Sequence, residues 1–310
     1  MNDAVKILHE KQLAEWEMAR VNYSALKDVR VKTLEIGEEI YRIQFNPARI
    51  ISSSANIDEK SIQKRACFLC EENRPSQQEG LPFKEDYTTL VNPFPIFPNH
   101  LTITEKRHLP QQILGRFGDM LDLAMLLDDF VVFYNGPKCG ASAPDHFHFQ
   151  AGDKGFMPVE KEWKRIIEKP VCYLDNAILW TTKDKLRNFF VIESAGKESA
   201  ICLFESLYEI LKKGNEEPMM NILAWYDERW IICLFPRRKH RPSCYSLEGN
   251  ENFLISPASV DLGGVFVVPL EKDFEKVAAN DIHAILQEVC ISTEEYDMTV
   301  EQIKRLYETK

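Results

Sequence analysis

Residues 143–152 read APDHFHFQAG. Successive side chains of a strand point to opposite faces, about 6–7 Å between neighbours on one face. A strand here carries His146, His148 and Gln150 on one face and sends Phe147 and Phe149 the other way, into a core. A lone strand histidine is most often a hydrogen-bonded core or surface residue. Two histidines and a glutamine behind a glycine-bearing loop point instead to a working face. Imidazole titrates near neutrality, so a useful fraction is neutral and nucleophilic. Attack on phosphorus would give a phosphoramidate, with a nucleotide carried on the ring nitrogen of His148. Gln150 can donate its amide to a phosphate oxygen but has no proton to supply. That combination suits transfer of a nucleotidyl group to another anion.

Cys67-Phe-Leu-Cys70 has the C-x-x-C spacing that lets two thiolates grip one tetrahedral zinc ion. A redox pair or two idle thiols give the same string. A zinc site needs two further ligands, and His9, His100, His108 and His146 are the histidines available upstream of His148. His108 follows a strand at an expected helix start, and His146 adjoins the nucleophile, so both are candidates. A site closed by four side chains would be structural, bracing the strand that carries His148.

The elements that must position these groups follow from pattern. Residues 4–28 have helical spacing, and 31–46 suggest two strands meeting near Gly37. Residues 47–66 show no clean period, and the chain after the cysteine pair is polar and turn-rich to about residue 85. Strands are expected at 87–93, 100–105 and 130–135, with a helix that starts at Pro110 and runs to about Asp129. A second cycle has strands at 172–180 and 189–194, a helix at 198–213, a hairpin over 219–236, a strand at 264–270 and a helix at 273–290. Gly263-Gly264 reads as a tight turn into that last strand. Strands, helix, strands, twice over, predicts an α+β fold of two related halves, residues 1–155 and 156–310, with antiparallel sheets flanked by helices.

With 310 residues and 45% hydrophobic content the chain can bury a sizeable core. Its net charge of −10 opposes nonspecific nucleic-acid binding but not a small anion held by local charge. Apolar runs such as WIICLF (230–235) are far too short to span a membrane, and the N-terminus lacks the apolar centre of a signal peptide. A cytoplasmic protein without nucleic-acid or membrane partners is the expectation. The eight cysteines, only two of them close in sequence, argue for thiols or a metal site over a disulfide framework. Within this acidic chain the run Arg237, Arg238, Lys239, His240, Arg241 stands out. It is either a solvated loop or a phosphate-binding one, for which Arg237 and Arg238 are the candidates.

The motifs together resemble the histidine-triad superfamily, in the branch with H-x-H-x-Q that contains galactose-1-phosphate uridylyltransferase, diadenosine tetraphosphate phosphorylase and the GDP-hexose phosphorylases. CFLCEENRP (67–75) is similar to the uridylyltransferase zinc-pair segment, which also carries an Asn and an Arg, here Arg74. LVNPFP (90–95) resembles the nucleotide-contacting strand and contains Asn92. NHLTITEKRHLPQQI (99–113) resembles the strand-then-histidine segment, which makes His108 the third metal ligand and His146 the fourth. FYNGPKCGASAPDHFHFQ (133–150) resembles the Asn-Gly, Gly-Ala-Ser, H-x-H-x-Q run. Three residues separate Ser142 from His146, where the relatives have two. Residues 255–277 look most like the GDP-hexose phosphorylases.

The resemblance implies a histidine-triad-like fold, a covalent nucleotidyl-His148 and phosphate contacts from Asn135, Ser142 and Gln150. It adds Asn92, Gly136 and Arg74 to the expected substrate contacts, and zinc as structural cofactor on Cys67, Cys70, His108 and His146. The reading that follows is a nucleotidyltransferase, a phosphorylase of a nucleoside diphosphate sugar (GDP-hexose or UDP-hexose), with phosphate or a sugar phosphate as acceptor. The alternatives are a hydrolase using the same intermediate, a diadenosine polyphosphate phosphorylase, and a nonenzymatic nucleotide-binding protein.

Overall fold

The computed structural model describes residues 1–50, 62 and 64–308. Most of the stretch expected to be irregular, 47–66, therefore lies outside the described residues; its start is a short 3-10 turn at Pro47–Arg49. The chain opens with α1 (Asn2–Glu15) and α2 (Glu17–Ala25), where one helix was expected. Trp16 between them is extended, at φ −114° and ψ 102°. The break lets the Trp16 indole bury together with Leu8, Ala19, Tyr23 and Val91, a set that one straight helix face would not present. Next comes the hairpin of β1 (Arg30–Ile36) and β2 (Glu39–Phe45). Its turn uses Gly37 at φ +62°, a conformation glycine adopts without penalty.

The central sheet begins with β3 (Gly80–Phe83), β4 (Tyr87–Val91) and β5 (His100–Glu105). Then follow α3 (Phe117–Leu126), β6 (Phe130–Asn135), β7 (His148–Asp153) and α4 (Pro158–Ile166). The second cycle is β8 (Ile167–Leu174), β9 (Ala177–Thr182), β10 (Phe190–Ser194), α5 (Lys197–Leu211), β11 (Met220–Asp227) and β12 (Arg229–Pro236). After it come α6 (Ser259–Leu262), β13 (Val265–Val268), α7 (Glu271–Lys276), α8 (Ala279–Val289) and α9 (Thr293–Glu308). Ten strands form one antiparallel sheet in the order β3-β4-β5-β7-β6-β11-β12-β10-β9-β8. That order reads alike from both ends: a three-strand meander, then, after a helix in the chain, two strands of which the later lies beside the meander and the earlier at the centre of the sheet. The cycles join where β6 and β11 pair, with Asn135 opposite Asn221.

Alternation along the strands sorts the sheet's two faces. Val132, Tyr134, Phe147 and Phe149 pack beneath α3, α5 and α9 through Phe117, Phe204 and Tyr296. On the other face, Val131, Phe133 and Leu223 share a core with Tyr41, Phe266 and Leu286. This second layer is the sheet β1-β2-β13, in which β13 joins β2 in parallel and so ties the first hairpin to the last third of the chain.

Several expectations need correcting. Pro110 does not start a helix, because the 109–111 segment is held extended by Phe147 N–H donating to Leu109 O and Gln111 N–H to Pro144 O. The helix begins at Phe117, after Gly115 turns the chain at φ +78°. Residues 273–290 form two helices, and the second starts where the Asp281 carboxylate accepts the Ala278 N–H. The chain near residue 80 is strand β3, residues 172–180, expected as one strand, cover the hairpin turn between β8 and β9, and α9 was not foreseen. No helix among the described residues is long and apolar enough to cross a membrane.

Gly152 of β7 lies opposite His100, and a Cβ there would sit 2.4 Å from the Phe97 ring, which packs edge-on against His100. Gly152→Ala should cost about 1–3 kcal/mol in urea unfolding, as overpacking does. An unchanged midpoint would show that Phe97 is free to move.

Candidate functional site

A cavity of about 610 Å³ opens on the face of the central sheet that bears Phe133, His148 and Gln150. Trp16, the 93–96 loop, the Gly140–Ser142 loop, His240–Arg241 and α6 wall it in. His148 is 3% exposed and opens β7. Its Nδ1 lies 2.9 Å from the His146 carbonyl oxygen, so Nδ1–H donates there and Nε2 keeps a lone pair. Burial, joined by the neighbouring His146, pushes the imidazole down to about 4 against the opposing pull of that carbonyl. The backbone of His148 is held from both sides by the buried Gln111 amide. Gln111 Oε1 accepts the His148 N–H at 2.9 Å, while its Nε2 donates to the carbonyls of His148 and Asn135, 3.0 Å each.

Two amides face the same cavity with their orientations assigned by the network around them. His100, fully buried, accepts the Ile96 N–H on Nδ1, so its Nε2–H donates to Gln150 Oε1 at 3.1 Å. Burial, and then the positive charge of Arg49, drop this ring to about 3, keeping it a neutral donor of one defined tautomer. With Oε1 taken, Gln150 has its NH2 to offer a ligand. Asn135 is fixed likewise. Its Oδ1 accepts from Asn221 Nδ2 (2.8 Å), Ser259 N–H (2.9 Å) and Ser259 Oγ (2.7 Å), which leaves its NH2 as the free group.

The series His146, His148, Gln150 is divided. The strand begins at His148, and His146 lies in the turn before it, its N–H donating to Ala143 O. His146 turns instead toward the cysteines. Cys67, Cys70, His108 and His146 bring their donor atoms within 4.8 Å of one another. Cys67 Sγ and Cys70 Sγ lie 3.3 and 3.4 Å from His146 Nδ1, and Cys70 Sγ is 3.2 Å from His108 Nδ1. Tetrahedral zinc with ordinary bond lengths sets sulfur-to-nitrogen edges near ~3.6 Å, so this donor set fits a metal ion closely. The surroundings agree: His146 Nε2–H donates to Glu105 O at 2.7 Å, which leaves Nδ1 for a metal, and Asp145 stands 3.7 Å from His108 Nε2.

Of the residues expected at the site, Asn92, Asn135, Ser142, His148 and Gln150 line the cavity together. Gly136, Arg74, Arg237 and Arg238 do not. Gly136 works through its backbone, donating to Met220 O, and a Cβ there would meet that oxygen at 2.9 Å. Arg74 turns to Glu71 at 3.6 Å. Arg238 is exposed and donates to Gln287 O. Arg237 is buried beneath its own loop, donating to Asn221 Oδ1 and to the carbonyls of Val289, Pro257, Lys239 and His240. That hub presents His240 and Arg241 to the cavity in its place. Arg49 and Arg65 also line it and were missed, as were His100's hold on Gln150 and Gln111's on His148. Arg49 and Arg65 lie within the stretch without periodicity, so no pattern marked them.

By sequence, residues 8–153 match the family described as "Domain of unknown function (DUF4922)", and residues 186–310 match "GDPGP1-like, C-terminal domain". No curated protein matches the chain. Among solved structures it is similar to yeast Ap4A phosphorylase Apa2. The AMP complex gives a TM-score of 0.58 at 17% identity over 91% of this chain and 97% of that one; the Ap4A complex gives 0.55 at 17% over 89% and 97%. A uridylyltransferase aligns more distantly, with a TM-score of 0.44 at 12% identity, over 79% of this chain and 91% of that one. The chain thus has the histidine-triad-like fold of Ap4A phosphorylase, as its motifs led one to expect.

The four-donor cluster should hold about one metal ion per chain by elemental emission. Cys70→Ser should release that ion and lower the thermal midpoint, since metal binding is linked to folding. Full metal content in the variant would show that the cluster is not the site.

Proposed function

We propose that this protein is a nucleotidyltransferase that works through a covalent nucleotidyl-His148 intermediate. The observation that carries the reading is a neutral imidazole whose Nδ1–H is tied to the His146 carbonyl while the ring lines a cavity with Gln150, Asn135 and arginines. In the first step the Nε2 lone pair attacks the α-phosphorus of a bound nucleotide. The N–P bond forms, the bridging P–O bond breaks, and the leaving phosphate departs with the electron pair. Positive charge left on the ring is eased by the Nδ1–H bond to the His146 carbonyl. Gln150 and Asn135 NH2 groups donate to the non-bridging oxygens, which gain charge in the transition state. In the second step an acceptor phosphate oxygen attacks the same phosphorus and the N–P bond breaks.

Gln150 has no acidic proton, so the leaving group must be a good one unaided. A phosphate monoester or a nucleotide meets that condition. A nucleoside diphosphate sugar is the substrate class we favour, supported by the "GDPGP1-like" description of the family that matches residues 186–310; a GDP-hexose or UDP-hexose would release a hexose 1-phosphate. The acceptor is then inorganic phosphate or a sugar phosphate. The halves 1–155 and 156–310 would each contribute one side of the substrate site. Zinc is the ion we assign to Cys67, Cys70, His108 and His146, in a structural role that holds the turn ahead of His148.

The test is product analysis with GDP-glucose, UDP-glucose and diadenosine tetraphosphate, each with and without phosphate. Acceptor-dependent release of nucleoside diphosphate with ping-pong kinetics is expected, and His148→Ala should lose at least ~1000-fold in rate. Turnover that persists in His148→Ala overturns the mechanism, and turnover indifferent to acceptor makes the protein a hydrolase. The pH profile adds a second check. With the imidazole depressed to about 4, its nucleophilic form is complete above that value and is lost as pH falls through it. The acid limb should therefore lie near 4; one near 6.5 would place His148 in water.

A further inference from the structure

Arg65 lies two residues before Cys67 and lines the cavity. Three contacts hold its guanidinium, and each leads to the metal-binding loops. Nη2 donates to Asp145 Oδ1 at 3.0 Å and to Ser142 O at 3.1 Å, and the group lies 5.0 Å from the ring of Phe68, inside the C-x-x-C. Asp145 turns its other oxygen to His108 Nε2, 3.7 Å away. One carboxylate therefore spans a metal-ligating imidazole and a cavity arginine. With Nδ1 of His108 given to a metal, its Nε2 carries the proton and faces that carboxylate, as outer-shell partners of ligating histidines do. Arg65 Nη1 makes no hydrogen bond among the described residues, and its buried Nε has no partner there. Asp145 is one of three residues between Ser142 and His146.

We propose that Arg65 binds an anionic group of the ligand through Nη1, and that Asp145 is a positioning residue that sets Arg65 from the metal cluster. The proposal rests on the cavity being a nucleotide site but not on the covalent step at His148. A guanidinium held on one side by Asp145 and Ser142 O is already oriented when the ligand arrives, which limits the ordering cost of binding. A phosphate oxygen, which takes charge-assisted hydrogen bonds from a guanidinium N–H, is the chemistry it suits.

The test uses metal-loaded protein. GDP, UDP, ADP and inorganic pyrophosphate are titrated calorimetrically into wild type, Arg65→Gln, Arg65→Lys, Asp145→Asn and the double variant Arg65→Gln/Asp145→Asn. Metal content and thermal midpoint are measured for each. Arg65→Gln should weaken the probe that wild type binds by about tenfold or more and flatten its salt dependence, with the metal retained. Arg65→Lys, which keeps charge without the fork, should recover part of the loss. Asp145→Asn should weaken binding less, and the double variant should bind no worse than Arg65→Gln alone, because the two act through one contact. Unchanged affinity in Arg65→Gln overturns the proposal, and additive losses in the double variant overturn the role of Asp145. If wild type binds none of the four probes, both this proposal and the nucleotide reading fall, whereas binding that Arg65→Gln leaves intact removes this one alone.

Discussion

The site depends on one hydrogen bond, from Nδ1–H of His148 to the carbonyl of His146, two residues back in its own chain. It chooses the tautomer, points Nε2 to the cavity, and makes the ring's charge state a consequence of burial. For that bond to exist, the chain must turn between His146 and His148, so the alternation H-x-H cannot continue as a regular strand. Everything near it serves the turn. Gln111 clamps the His148 backbone, Glu105 O receives the His146 Nε2–H, and the cysteine pair draws the other face of the His146 ring away from the cavity.

The same device recurs around the cavity: a side chain's acceptor is saturated by protein so that its donors are left for a ligand. His100 does this to Gln150, and Ser259 with Asn221 does it to Asn135. Asn221 also accepts from Arg237, whose other bonds shape the loop bearing His240 and Arg241. A continuous buried chain thus runs from Asn135 through Asn221 to the basic loop, across the seam where β6 and β11 pair. In a chain of net charge −10, collecting Arg49, Arg65 and Arg241 on one cavity is a local reversal of the global field.

Local spacing made part of this legible. The H-x-H-x-Q alternation marked His148 and Gln150 on one surface, the C-x-x-C pair marked half of a candidate metal cluster, and period-2 runs located most strands of both cycles, though not β3 or the turn between β8 and β9. What spacing could not show was where the chain leaves a period to serve a distant partner. His146 departs from the strand because its ring goes to Cys67 and Cys70, far back in sequence. Pro110 sits in extended chain because Leu109 and Gln111 pair with the 144–147 turn. Arg237 and Arg241 are four residues apart with the same side chain, and only the carbonyls gathered around Arg237 decide which one is the scaffold. His100 and Gln111 act on neighbours brought close only by sheet order, so no local signal marks them.

The claim beneath the whole account is the protonation state of one ring, and heteronuclear NMR of nitrogen-15 histidine reads it directly. At neutral pH, His148 should show a protonated Nδ1 and a bare Nε2, and should keep that pattern on acidification until pH approaches about 4. A proton on Nε2, or a ring already cationic near neutrality, would leave no lone pair facing the cavity and would contradict it.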